Sequence, residues 1–387
     1  MSVSRRRMLA ALAAAPFALS SARAAPAAQP SRLFVMVFLY GGNDGYNTWI
    51  PYSNPDYRRF RPNIAVPRER VIPVTEAHAF NAALQPLMPA WEAREIALVQ
   101  GIGYAEGTQQ HYRDCETAFT ACEGREYSNE GWVTRALARK ARRAAPDVVA
   151  FDMLDVREAD PMGPFRGGEL GVVEVYYPND LLVTRRLAAC AIETNPPGRA
   201  ALANTGAVPA LSLKTAFPTD PFGAAMRAAV ELAAADRTLP VIHVTLNGLD
   251  GDKHHSVDCH VDQAKYHNDA LARLAAGLAA LREGLKEIGR WDETLVATYD
   301  EFGRNPMENE ARGTHHGLAN THFVLGGRVK GGLVGEAPRF QRLYPIGGEA
   351  PTIDTRRLWT TVIERWWDSD ASGVFTRRHA PLDLLRA

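Results

Sequence analysis

The chain carries no excess charge of either sign: Lys plus Arg and Asp plus Glu number 44 each over 387 residues. Without a basic block it has nothing to neutralise a phosphate backbone, so nucleic acid is not an expected partner. Cysteine is scarce. Cys115, Cys122, Cys190 and Cys259 are the four, able to bridge in an oxidising compartment but too few to scaffold so long a chain. Their pairing cannot be read from spacing, and no C-x-x-C argues for redox chemistry. Long apolar runs are missing as well. Beyond the N-terminus none approaches the roughly 20 residues of a membrane-spanning helix, so the mature protein is expected to lack a transmembrane segment.

What the N-terminus does have is an address. Arg5 and Arg6, within Ser4 to Leu9, resemble a twin-arginine export motif, and the apolar run Met8–Leu19 is too short to span a bilayer. Ala22-Arg23-Ala24 supplies the small residues a signal peptidase selects. The expected division is a signal over 1–24, a polar linker over 25–32 and a single domain over 33–387. The expected location is the periplasm or the cell exterior of a bacterium.

Leu33–Tyr40, LFVMVFLY, is apolar throughout, as a strand buried on both faces of a parallel sheet should be. It runs into GGNDG, Gly41–Gly45. The segment 47–73, rich in proline and aromatics, reads as a loop forming a lip over a site, and Ala79–Arg94 as a helix. Ile96–Gly101, Val148–Phe151, Val241–Leu246 and Thr294–Tyr299 read as further buried strands, with a short one opening at Phe323–Leu325. Phe222–Asp236 reads as an alanine-rich helix. Leucine or isoleucine at 271, 274, 278, 281, 285 and 288 marks a long amphipathic helix. Arg356–Trp367 is a helix with an aromatic face, and the basic run Arg135–Arg143 reads as a solvated helix face. Thr108 stands where the N-cap of a helix running through Phe119 is expected. A hydroxyl there also sits in the positive field of a helix start, where a nucleophile attacking phosphate would gain.

Seven of the eleven histidines lie between His254 and His322. Val241–Leu246 is followed by Asp250, His254, Asp258, Cys259 and His260. Thr294–Tyr299 is followed by Asp300, Glu301 and Arg304, then by His315 and His316 between Gly313 and Gly317. Acids and imidazoles just beyond strand ends are the donor types a divalent ion takes.

Together GGNDG, Asp300–Arg304 (DEFGR), Gly313–Gly317 (GTHHG) and GGRVKGG resemble, from Leu33 to the C-terminus, the secreted DUF1501 family, placed near the alkaline phosphatase and sulfatase superfamily. That resemblance implies a three-layer αβα sandwich with a mostly parallel central sheet and a metal site at its carboxyl edge. The family's D-T-H motif falls on Asp258-Cys259-His260, with Gln263 and His267 following; Asp250 with His254 competes for the same register. Its Ser-His-Phe falls on Gln110-His111-Tyr112, so a family serine is glutamine here and Thr108 is the nearest hydroxyl. His315 replaces an aspartate and Asp300 a serine.

The chemistry so implied is hydrolysis of a small anionic phosphate or sulfate ester. Asn43, Asp44, Asp258, His260, Glu301, His315 and His316 would hold a divalent metal. Mixed oxygen and imidazole donors suit zinc or manganese better than calcium. Thr108, His111 and Arg304 would serve as nucleophile, acid or base, and anion clamp. The lost serine and the His315 change equally suit a non-catalytic periplasmic binding or assembly protein that keeps the fold.

Overall fold

The computed structural model describes residues 32–386 apart from 125, 139, 141–144, 152–162, 176–177, 186–190, 196–207, 247–256, 338 and 341–347. Its centre is the strand Leu33–Phe38, six residues all buried. Apolar on both faces, it pairs in parallel with Thr294–Tyr299 on one side and Val241–Thr245 on the other. The sheet order is Gly332–Val334, Ile96–Gly103, Asn320–Leu325, Thr294–Tyr299, Leu33–Phe38, Val241–Thr245, Val148–Phe151, Val172–Val175, Ala191–Asn195. Ile353–Asp354 pairs with Ile96–Gly103 off this path. Most pairings are parallel; Asn320–Leu325 runs antiparallel to both neighbours, and Ala191–Asn195 to its one.

Because side chains alternate along a strand, the central strand feeds two cores. Leu33, Val35, Val37 and Leu39 pack with the helices Pro221–Ala235 and Gln263–Glu287. Phe34, Met36 and Phe38 pack with His111–Thr120, Trp132–Leu137 and the C-terminal helix. Helices on both faces make the three-layer α/β sandwich that the sequence implies. Leu271, Leu274, Leu278, Leu281 and Leu285 are all buried, as their spacing requires. The C-terminal helix covers its expected span, but its second half, Thr361–Trp366, is π-helical. Trp132 stacks on Trp359 there, ring centroids 4.7 Å apart. Among the described residues no helix is long and apolar enough to cross a membrane.

Three expectations need correction. Ala79–Arg94 is not one helix: it divides into a strand Ala79–Asn81, a tight 3-10 stretch Ala82–Leu87 and a short helix Met88–Glu92. Pro86 and Pro89 remove donors that a continuous helix would need. The 47–73 segment is not a bare loop. It holds a helix Pro55–Phe60, started by the Asn54 cap and a proline in its first turn, and strands of a small antiparallel sheet. The basic run Arg135–Arg143 lies outside the described residues at 139 and 141–143, and Arg135 itself is not on a solvated face. It is half-buried in the helix Trp132–Leu137 and donates to the carbonyls of Val374, Glu130 and Thr120. Cys115, Cys122 and Cys259 are free thiols; Cys190 lies outside the described residues.

Candidate metal centre

The site forms where the parallel strands end. After Phe38 the chain turns through Gly41 and Gly42, both with left-handed backbone (φ +102° and +77°). A Cβ on Gly41 would lie 2.3 Å from Asp258 Cβ, and one on Gly42 2.6 Å from the Phe302 ring. The glycines therefore let the Asp258 segment and Phe302 close onto the first strand's exit. Gly313 and Gly317 do the same for the GTHHG hairpin, where added Cβ atoms would meet the His260 backbone at 2.2 Å and that of Arg304 at 2.5 Å.

His111, Asp258 and His316 meet there, one ligand atom from each lying within 4.8 Å of the others. Asp258 Oδ1 is 3.0 Å from His260 Nε2 and 3.4 Å from His316 Nε2, and Oδ2 is 3.6 Å from His111 Nε2. Arg304 also bonds Oδ1. Burial raises the pKa of that carboxyl, but the three histidines and the Arg304 charge prevail and hold it far below the usual range. Burial lowers the His111 pKa, while hydrogen bonds to Asp258 and Glu301 carry it up to about 9. His316, partly buried and beside Arg304, is held below its ordinary value by that burial despite Asp258.

Whether these residues fit a metal ion turns on where their lone pairs point. His316 Nδ1 is 2.7 Å from the Gln109 carbonyl, which only accepts, so Nδ1 carries the proton and neutral His316 presents a bare Nε2. That Nε2 is 2.9 Å from His260 Nε2. Two imidazole nitrogens approach so closely only across a shared proton or a shared cation. His111 Nδ1 lies 2.9 Å from Glu301 Oε1, which already accepts from Gly41 N, so Nε2 again faces the cluster. Metal-binding histidines have their far nitrogen held in this way. The donor set fits a divalent ion.

Other predicted residues take different places. Asp44 is turned inward: it caps the short helix Gly45–Thr48, accepting from Tyr46 N, and pairs with buried Arg61 and with Gln263. Burial opposes its ionisation, but Arg61, His267 and Gln263 hold its pKa below the ordinary value. Asn43 Oδ1 meets His267 Nε2 at 2.9 Å, and burial drives that imidazole down to about 4, so it is neutral. Glu301 is buried behind His111 rather than beside it, and burial raises its carboxyl pKa against the pull of His111. His315 points to solvent, because on the strand Thr314–His316 it faces opposite to its two neighbours. Arg304 spends its guanidinium on the Gly42 and Thr314 carbonyls at 2.9 and 3.1 Å and on Asp258. It anchors loops and is not a free anion clamp. Thr108 is not the N-cap. Gln110 occupies that position, and the Thr108 hydroxyl donates to Asp114 Oδ1 at 2.9 Å. Asp250 and His254 lie outside the described residues.

Sequence reasoning missed Gln109 and Phe302. Gln109 works through its carbonyl, in a left-handed conformation (φ 63°) that Asp114 holds by accepting from its N–H at 2.6 Å. No side-chain pattern announces a carbonyl. Phe302 stacks on His316 with ring centroids 4.0 Å apart, shielding that ring from water.

Residues 196–369 match the family model described as "Protein of unknown function (DUF1501)". No curated protein matches the sequence. Among solved structures the chain is similar to the PsFucS1 sulfatase from Pseudoalteromonas sp., with 10% identity, 88% of this chain and 68% of that one covered, and a TM-score of 0.39. The alkaline phosphatase from the Antarctic bacterium TAB5 gives 10% identity, coverage of 79% and 95%, and 0.38. The lipoteichoic acid synthase LtaP from Listeria monocytogenes gives 9%, 88% and 73%, and 0.38.

Proposed function

For a chain that carries the DUF1501 region over residues 196–369, we propose a metal-dependent hydrolase of phosphate or sulfate esters, exported to the periplasm or beyond. The observation that carries this reading is the convergence of His111, Asp258 and His316, each from a different segment, on one point at the sheet's carboxyl edge. They would hold one divalent ion, zinc or manganese by donor type, with His260 at its rim. When bound, the ion would supply Lewis acidity toward an ester oxygen.

The chain's own residues do the rest. Glu301 fixes the His111 ring, and the Gln109 carbonyl fixes that of His316. Arg304 orients Asp258 while tying it to Gly41 and Gly42. His260, whose side chain is 40% exposed, stands at the mouth with Nε2 inward. It is placed to hold a proton for an incoming water or a departing alkoxide. With Gln110 in place of a serine and the Thr108 hydroxyl committed to Asp114, the attacking group is water. Export is proposed from Arg5, Arg6 and the Ala22-Arg23-Ala24 site.

One observation favours a second reading, a ligand-binding protein without turnover: neither Gln110 nor the engaged Thr108 offers a nucleophilic hydroxyl. Turnover of nitrophenyl phosphate and nitrophenyl sulfate by the zinc- or manganese-loaded protein separates the two. Hydrolysis of either that disappears in Asp258→Asn supports the hydrolase. Inert, metal-loaded protein leaves the binding reading.

A further inference from the structure

The GGRVKGG segment takes no part in the His–Asp cluster. It follows the strand Asn320–Leu325, which runs antiparallel to its neighbours, so it emerges at the edge of the sheet opposite that cluster. Gly327 lets the backbone lie against Asp292, where a Cβ would sit 1.9 Å from Oδ1, and Gly331 is left-handed (φ +69°). Between them Val329 is fully buried and bridges to Leu385. Arg328, half-buried in the turn that Val329 N closes onto Gly326 O, and exposed Lys330 stand on either side of it. They line a cavity of about 550 Å³ together with Arg32, Arg365 and Arg386.

Four separate segments thus bring five cations to one cavity, in a chain whose overall charges balance. Only two carboxylates, Asp368 and Asp383, share the lining. Asp383 pairs with Lys330. Arg32 and Arg386 are held by carbonyls, which orient a guanidinium without neutralising it: Arg32 Nη1 is 3.0 Å from Trp366 O and Arg386 Nη2 2.8 Å from Arg94 O. Positive charge is left in excess, on side chains partly fixed before any ligand arrives. The volume lies within the range of small-molecule pockets, roughly 300–1,000 Å³. Guanidinium forks match the oxygens of phosphate and sulfate.

We propose that this cavity, at the opposite edge of the sheet from the His–Asp cluster, binds a free small anion carrying two or more phosphate or sulfate groups. Charge arriving from several sides favours several anionic groups over one, and a concave site favours a free molecule over a membrane surface.

Titration calorimetry of the whole chain with sodium tripolyphosphate at low salt tests this. The same titration on His316→Ala tells the cavity apart from any uptake at the cluster. The expected result is saturable one-to-one binding in both proteins, weakened by added NaCl. Affinity should fall about tenfold or more when Arg328→Gln and Lys330→Gln are combined, as expected for lost charge-assisted bonds. The exposed Arg365→Gln, a safer variant should the double one fail to fold, is expected to lose severalfold. Arg58→Gln with Arg59→Gln, on a helix elsewhere, should change nothing. Absence of saturable binding would overturn the proposal. So would undiminished affinity in both cavity variants, an equal loss in the control, or co-sedimentation with phosphatidylglycerol vesicles without tripolyphosphate binding.

Discussion

Glu301 shows how much a residue's role depends on which of its atoms is free. Its Oε1 accepts from Gly41 N and His111 Nδ1, which puts it one layer behind the ligand atoms. If it positions His111, then Glu301→Ala should weaken zinc or manganese binding about 10–100-fold without abolishing it; loss of a direct ligand would abolish it, and unchanged affinity would deny Glu301 any part. Such a distinction is not legible in sequence. DEFGR shows an acid past a strand end, and only the register of Gly41 against it says which way the carboxylate faces. The same holds for Asp44, since its partner Arg61 stands just past the end of a helix, Pro55–Phe60, hidden in a proline-rich stretch. Away from the site, His243 is fully buried beside the Tyr299 hydroxyl, 2.8 Å away, and burial holds its pKa down to about 3. Between that value and the ordinary 6.5 the unfolded chain takes up a proton that the folded one does not. Stability therefore rises with pH through this window and is complete above it. His243→Gln should flatten the dependence by about one proton, near 1.4 kcal/mol per pH unit. Urea unfolding at pH 4, 5 and 6 measures it, and identical slopes would contradict it.

Among elements, those with an unbroken pattern are legible and those with a polar interruption are not. Val148–Phe151, Val241–Thr245 and Thr294–Tyr299 stand out as apolar runs, and the long helix by its leucine spacing. Val172–Val175 is as buried as they are, yet Glu174 interrupts its run. The hairpin Arg304–Glu308 with Thr314–His316 is polar along most of its length because it serves the site and not the core. Glycine inside the long helix is also informative. Gly277 faces Phe222 and Met226 of the neighbouring helix, where a Cβ would come within 2.5 Å of the Phe222 ring. On propensity alone Gly277→Ala would stabilise by about 1 kcal/mol. Overpacking at that contact costs about 1–3 kcal/mol, so a lower melting temperature is predicted; a higher one would show that the two helices can part without cost.

Across the whole molecule, a sheet that is mostly parallel sends its strand ends to one edge, and segments remote in sequence meet there. The sequence contains each of them as a donor type past a strand, so the neighbourhood of the site is legible. Its membership is not: Asn43 and Asp44 fall behind it, His315 outside it, and Gln109 joins through a carbonyl. The opposite edge gathers the cations of a second cavity, which the GGRVKGG motif announces only as a glycine-framed turn. The central claim is that the carboxyl edge holds a divalent ion. Elemental analysis of the whole chain, beside His316→Ala, tests it most directly. The predicted result is one zinc or manganese per chain, lost in the variant while its melting curve shows it still folded. Protein that is isolated metal-free, and takes up neither ion on dialysis, would contradict it.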